Sequence, residues 1–155
     1  MSKKDTVKVL NNLIQTSEDG KKGFIEASEE AANADLKVIF RKRSVACDAA
    51  VVELQQLVGY LGATPEDSGT IAGAVLRGWA KVKTATSDPD IAMLEIVECA
   101  EDKAKTNYAK ALTATLPTRV RIVVQRQHDD VIRNHELIRE LRNRYQKAAE
   151  KSAKG

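Results

Sequence analysis

Apolar residues recur at steps of three and four along most of this chain, a spacing that places them on one face of an α-helix. The pattern predicts an all-α protein with long helices over about Lys4–Ala32, Asp35–Leu61, Ile91–Leu112 and Pro117–Tyr145, and a shorter helix over about Thr70–Thr86. Asn33 or Asp35 is positioned to cap the second helix, and Gly62 to end it in a left-handed conformation.

The lengths of the connections predict how these helices are arranged. Two or three residues join the first two long helices, which forces them to run antiparallel as a hairpin. About 27 residues separate the two pairs, enough to travel the length of a bundle, so the second and third long helices should run parallel. This is the ferritin-like four-helix bundle, made of two antiparallel hairpins with a short extra helix in the long crossover. The rival arrangement is an up-down bundle in which the segment 70–86 joins the core as a fifth helix.

Composition narrows the class of protein further. The 155 residues fit one bundle domain over 1–145, followed by a polar tail at 146–155 that we expect to fray. The 25 basic and 22 acidic residues of the whole chain are interspersed, which is typical of a solvated surface and not of a nucleic-acid-binding stripe. No apolar run is long enough for a membrane span or a signal peptide. We therefore expect a cytoplasmic protein with neither nucleic acid nor membrane as a partner.

Several polar side chains fall on faces that should be buried. In the helix Ile91–Leu112, Glu101 lies within roughly 40° of the centre of the apolar stripe, Glu98 lies at its edge, and Tyr108 belongs to the stripe. Lys21 on the first helix and Gln127 on the last also point inward, and Arg43 lies near the buried stripe of the second helix. A buried carboxylate must be paired, protonated or bound to metal, and an inward Lys21 would supply the ion pair for Glu101. The alternative is that the stem of Lys21 carries its ammonium group out to the solvent. Lys21, Glu101, Gln127 and Tyr108 would form one buried polar layer.

Three interpretations remain open for Glu98, Glu101 and His135. They form a hydrogen-bonded core network, with Lys21, Arg43, Gln127 and Tyr108 as further partners, or they lie at the surface. Alternatively they hold a metal, since two carboxylates and an imidazole suit Fe, Mn or Zn. Nucleophilic catalysis has no support, because neither Cys47 nor Cys99 has a context that would lower its pKa; both are expected to be buried, inert thiols in a reducing compartment.

Longer stretches of the sequence resemble a known family. The strings VLNNLIQTSEDGKKGF, LVGYLGATPEDSGTIAGAVLRGW, CAEDKAKTNYAKAL and RNHELIRELRN are similar to a bacterial family of ferritin-like four-helix bundles known only as a domain of unknown function. The resemblance implies the fold but no activity. It also raises a chemistry to test, because di-iron members of the wider ferritin-like group use Glu-x-x-His pairs. No Glu-x-x-His occurs here, so a full di-iron centre is not expected.

Two functions of different class follow from these observations. The first is a non-catalytic or weakly metal-binding cytoplasmic module for protein interaction or the stress response. The second is an Fe- or Mn-dependent oxidoreductase or iron-handling protein that uses an incomplete carboxylate and histidine site. A homo-oligomer, with the dimer as its expected form, is also predicted, because Gly73, Val75, Leu76 and Trp79 present small and apolar side chains that a second copy can cover. The alternative is that this patch covers the protein's own bundle.

Overall fold

The computed structural model of the protein describes residues 1–65 and 87–154. Within them the chain forms the four long helices predicted from its periodicity: α1 (Lys3–Glu30), α2 (Ala34–Tyr60), α3 (Pro89–Leu112) and α4 (Thr118–Lys154). The predicted helix at 70–86, and with it the patch around Trp79, lies outside the described residues. None of the described helices is both long and apolar enough to cross a membrane.

Local chemistry sets the ends of the helices. The side chain of Ser2 caps α1, that of Asn33 accepts hydrogen bonds from two backbone amides at the start of α2, and that of Asp88 does the same for α3. Gly62 has a φ of +81°, the left-handed conformation that terminates α2 at little cost for glycine. The predictions for Asn33 and Gly62 are confirmed.

Two apolar clusters occupy opposite halves of the bundle and define the direction of every helix. One cluster joins the beginnings of α1 and α4 to the ends of α2 and α3; its members include Leu10, Leu13, Leu54, Val58, Tyr108 and Val120. The other joins the remaining ends, through Phe24, Leu36, Phe40, Leu94, Val97 and Ile138. Consequently α2 and α3 run parallel, and the chain leaves α2 at one end of the bundle and enters α3 at the other. The ferritin-like topology is therefore confirmed.

Asp90 fixes the start of α3 against the first hairpin. Its carboxylate accepts hydrogen bonds from the backbone amides of Ala32, at 2.7 Å, and Asn33, at 3.3 Å. The turn between α1 and α2 and the first turn of α3 thus lie together at one end of the molecule.

The C-terminal segment differs from the prediction. We expected fraying from about Gln146, but α4 continues to Lys154. Residues 147–153 are exposed and polar in character, as expected of a tail, yet they include good helix formers and no glycine or proline that would stop the helix. Intrinsic helix propensity therefore extends α4 beyond the part of the bundle that it packs against.

Candidate functional site

The middle of the bundle contains a buried charge cluster centred on Arg43 of α2. The Nε atom of Arg43 lies 3.5 Å from Oε1 of Glu101 on α3, and its Nη1 lies 2.6 Å from Oδ2 of Asp130 on α4. Arg43 is 8% exposed and Glu101 is 3% exposed, so their charges are largely removed from water. Asp130 is half exposed, and Arg133 approaches its other oxygen at 3.6 Å. One guanidinium thus connects three helices.

Glu101 retains an unused acceptor in this cluster. Its Oε2 atom is buried and has no hydrogen-bond partner among the described residues. Burial raises the pKa of the Glu101 carboxyl, and the positive charge of Arg43 with the nearby Asn134 side chain offsets part of that rise. The carboxyl therefore binds a proton more readily than a solvated glutamate does.

A second polar chain lies beside the charge cluster and crosses all four helices. Ser17 of α1 and Tyr108 of α3 are joined by a 3.0 Å hydrogen bond, and the Tyr108 hydroxyl donates to Oε1 of Gln127 on α4 at 2.8 Å. The amide of Gln127 donates to Glu53 of α2 at 2.8 Å. Glu53 also accepts a hydrogen bond from Arg126 at the surface. Burial raises the pKa of the Tyr108 hydroxyl, so Tyr108 acts as a neutral donor and acceptor.

The structure corrects the expected partner of Lys21. The Nζ atom of Lys21 lies 2.9 Å from Oδ1 of Asp48 on α2, and the lysine side chain is one-third exposed. Its pKa is raised, chiefly by the hydrogen bond to Asp48. Lys21 therefore lies at the edge of the contact between α1 and α2 and does not pair with Glu101, whose cationic partner is Arg43. Of the predicted polar layer, Tyr108 and Gln127 are bonded to each other, and Glu101 lies in the adjacent charge cluster.

The three residues predicted as metal ligands have separate partners. Glu98 is paired with Arg142 of α4, Glu101 with Arg43, and Nε2 of His135 lies 2.5 Å from Oδ1 of Asp102. Nδ1 of His135 is buried and has no hydrogen-bond partner among the described residues. Within residues 1–65 and 87–154, no group of three or more His, Cys, Asp and Glu side chains is arranged to hold a metal ion. The metal site stays a prediction.

A cleft of about 900 Å³ adjoins both polar groups and is lined by residues of all four helices. Small side chains line much of it, including Ala50, Ala100 and Ala104. Gly20 and Cys47 also line the cleft. The two residues are close together, since a Cβ atom at Gly20 would lie 3.1 Å from Sγ of Cys47. Burial raises the pKa of the Cys47 thiol to about 12, so this thiol stays protonated and is a poor nucleophile. The cleft is of ligand size and is bordered by Glu101, Tyr108 and Gln127.

Sequence reasoning found some of these residues and missed others. Arg43 was one of several partners considered for a network around Glu101, but the specific ion pair expected for Glu101 was with Lys21. Asp130 and Asp102 were missed, and the sequence gives no signal for them, because each lies beside the apolar face of its helix and reaches its partner sideways. Cys99 is exposed, which corrects the expectation that both thiols are buried.

Comparison with known proteins supports the fold. The family described as "Domain of unknown function (DUF2383)" matches residues 5–114. No curated protein matches the sequence at a significant level. The structure is similar to a mutant of Dps1 from Mycobacterium smegmatis, with a TM-score of 0.73 and 10% identity over 90% of this chain and 98% of that one. It is also similar to the bacterioferritin-related protein of Bacteroides fragilis, described as a dodecameric thioferritin, with a TM-score of 0.73 and 12% identity over 96% of this chain and 92% of that one.

Proposed function

We propose that this chain, which belongs to the DUF2383 family, is a non-catalytic ferritin-like bundle that acts as a cytoplasmic interaction module and binds metal weakly at most. The observation that carries the proposal is the position of Arg43. Di-iron proteins of the ferritin-like group surround their metal with inward carboxylates and histidines from four helices. Here the inward carboxylate Glu101 faces a guanidinium instead.

Electrostatics explains why a guanidinium next to Glu101 disfavours the binding of a metal ion. The guanidinium of Arg43 remains charged throughout the physiological pH range and is held by Glu101 and Asp130. A divalent cation next to Glu101 would be repelled by Arg43 across a poorly solvated interior, where charges interact more strongly than in water. The residues present therefore do not fit a di-iron centre. They fit an ion-pair cluster in which the buried charges of Arg43 and Glu101 neutralise each other.

A second candidate function, Fe or Mn handling at an incomplete site, is favoured by one observation. Glu101 Oε2 and His135 Nδ1 are both buried without a hydrogen-bond partner among the described residues, and each is an atom type that binds these metals. Glu98 would have to release Arg142 to join them as a third ligand. We propose that the site formed by these residues binds Fe or Mn only weakly.

Elemental analysis distinguishes the two functions. The full chain is purified without chelators and without a metal-affinity tag, and its Fe, Mn and Zn contents are compared with those of Glu101→Gln and His135→Gln. We expect well below one metal per chain and no change in either variant. His128→Gln is the matched control, because His128 lies beside Asp129, seven residues and about two helical turns before His135 on α4. Near-stoichiometric Fe or Mn that is lost in both test variants but kept in the control would establish the metal-handling function instead.

We also propose that the module is a homo-oligomer. The B. fragilis relative is described as dodecameric, and long exposed helices are suited to pairing between copies. Light scattering over a wide concentration range tests this part separately. If the measured mass is that of one chain at all concentrations, the homo-oligomer is disproved, and the proposal about metal binding is unaffected.

A further inference from the structure

The outward face of α2 carries an apolar stripe at a regular spacing. Val38, Val45 and Val52 are 57%, 69% and 47% exposed, and Ala49 is exposed between them. Residues seven apart return to within about 20° of the same side of an α-helix, so these side chains form one line about 21 Å long. Apolar residues at this spacing are typical of a helix that packs against another helix. We call this set the α2 stripe.

We propose that the α2 stripe is the contact surface between two copies of this chain, packed antiparallel about a two-fold axis at Val45. This inference rests on the homo-oligomer proposed above and adds the interface. In an antiparallel pair, residues equally far before and after the axis meet. Val45 then packs on the partner subunit's Val45, and Val38 packs on the partner subunit's Val52, so every valine of the stripe is covered by another valine.

The charges beside the stripe favour a second copy as its occupant. Arg41 lies four residues before Val45 and Asp48 three residues after it, and on a helix both fall on the same flank of the stripe. In an antiparallel pair, Arg41 and the partner subunit's Asp48 therefore lie at nearly the same height along the helix axis, with an offset of about 1.5 Å. The two-fold symmetry repeats this contact. Arg41 is exposed and forms no ion pair with any described residue. Asp48 uses only Oδ1 for Lys21, which leaves its Oδ2 for this contact.

The same charges argue against the parallel alternative. Identical residues are level with each other in a parallel pair, so Arg41 and Lys42 of one copy would lie beside Arg41 and Lys42 of the other. Like charges at a contact disfavour that arrangement. Of the two orientations, the charges of Arg41, Lys42 and Asp48 thus favour the antiparallel one.

A charge at the centre of the stripe tests the interface. Val45→Glu in the full chain places two carboxylates together at the two-fold axis, and we expect association at least about tenfold weaker by analytical ultracentrifugation. The side chain of Val45 is mostly exposed, so the fold should be kept, which circular dichroism checks. Ile122→Glu is the matched control: Ile122 is 63% exposed on α4, outside the stripe, and the variant should associate as the unchanged protein does.

Disulfide cross-linking tests the orientation independently of the charge change. In a Cys99→Ser background, which removes the exposed native thiol, Val45→Cys should form a covalent dimer on mild oxidation. Val38→Cys should not, because identical residues seven positions from the axis lie about 21 Å apart in an antiparallel pair. Cross-linking of both variants would indicate a parallel pair and overturn the proposed orientation.

The outcomes separate this inference from the proposed function. An oligomer that is insensitive to Val45→Glu and gives no Val45→Cys cross-link overturns the α2 interface but leaves the homo-oligomer standing. A single-chain mass at every concentration overturns both.

Discussion

The guanidinium of Arg43 and the carboxylate of Glu101 lie where bulk water reaches neither group well. Each compensates the cost of burying the other, so removing one should be worse than removing both. This asymmetry is the main consequence of the central cluster at the scale of single residues, and it can be measured.

We expect Arg43→Met to lower the free energy of unfolding by about 3–5 kcal/mol near pH 8, because it leaves the buried carboxylate of Glu101 without a countercharge. The double variant Arg43→Met with Glu101→Gln should recover much of that loss, since no uncompensated buried charge remains. Urea unfolding of the four proteins in the cycle gives the coupling energy. Lys21→Met is the matched control and should cost no more than about 1 kcal/mol, because the Lys21–Asp48 pair is partly exposed. Additive single effects would show that Arg43 and Glu101 do not stabilise each other.

The raised pKa of Glu101 predicts a dependence of stability on pH. A carboxyl whose pKa is higher in the folded than in the unfolded protein holds more protons when folded, so its contribution to stability is greatest at low pH and falls as pH rises. The window begins near the ordinary value of 4.5 and extends upward through the raised value. Relative to Glu101→Gln, the unfolding free energy of the unchanged protein should fall in that window, by at most about 1.4 kcal/mol per pH unit. A difference between the two proteins that rises or stays flat with pH would contradict the assigned direction.

At the scale of helices, α1 and α2 approach each other closely at Gly20. A side chain there would meet the sulfur of Cys47 at 3.1 Å, a distance that requires the cysteine to move. The contact explains why a residue of poor helix propensity stands in the interior of a long helix. It also places Lys21, the next residue, at the edge of the α1–α2 contact, where Asp48 lies within reach.

Inside a helix, replacing glycine by alanine normally raises the free energy of unfolding by roughly 1 kcal/mol. Gly20→Ala should show little of this increase, because the new methyl group meets the sulfur of Cys47. In a Cys47→Ala background the obstructing sulfur is absent, and the same substitution should stabilise the protein. Gly59→Ala is the control, because a Cβ atom there meets nothing within 4 Å, so its effect should be the same in both backgrounds. Thermal unfolding of these variants gives the comparison. Equal effects of Gly20→Ala with and without Cys47 would show that the sulfur does not limit the approach of the two helices.

At the scale of the whole molecule, the hydrogen bonds through Tyr108 connect all four helices in one layer. Ser17, Tyr108, Gln127 and Glu53 belong to α1, α3, α4 and α2 respectively. Directional bonds of this kind fix how the helices are rotated and shifted relative to one another, which apolar packing alone specifies less sharply.

Tyr108→Phe should destabilise the protein by about 1–3 kcal/mol, because it leaves the hydroxyl of Ser17 and the carbonyl of Gln127 buried without their shared partner. Tyr60→Phe removes the same atom from an exposed side chain, and its effect should lie within about 0.5 kcal/mol. Guanidinium unfolding followed by circular dichroism measures both. A loss for Tyr108→Phe no larger than that for Tyr60→Phe would show that the four-helix connection contributes nothing to stability.

The sequence by itself determined the helices, their caps and the topology, because each of these depends on local chemistry or on connection length. Apart from the C-terminal end of α4, the apolar repeat placed the ends of the four helices to within a few residues. Asn33 and Gly62 marked the ends of α2, and the long crossover required α2 and α3 to run parallel. The same periodicity identified Glu101, Tyr108 and Gln127 as inward-facing, and all three are buried.

Only the tertiary structure decided which inward groups are partners. Periodicity gives the angle of a side chain around its own helix, but not the rotation of that helix in the bundle or the lateral reach of a long side chain. Lys21 and Arg43 were both inward candidates on the basis of angle, and the close α1–α2 approach at Gly20 directs Lys21 to Asp48 while Arg43 extends across the core to Glu101. A difference of a fraction of a turn in the rotation of a helix about its axis decides which of these partners a side chain reaches. Side-chain packing fixes that rotation, and a single sequence does not encode it in any local pattern.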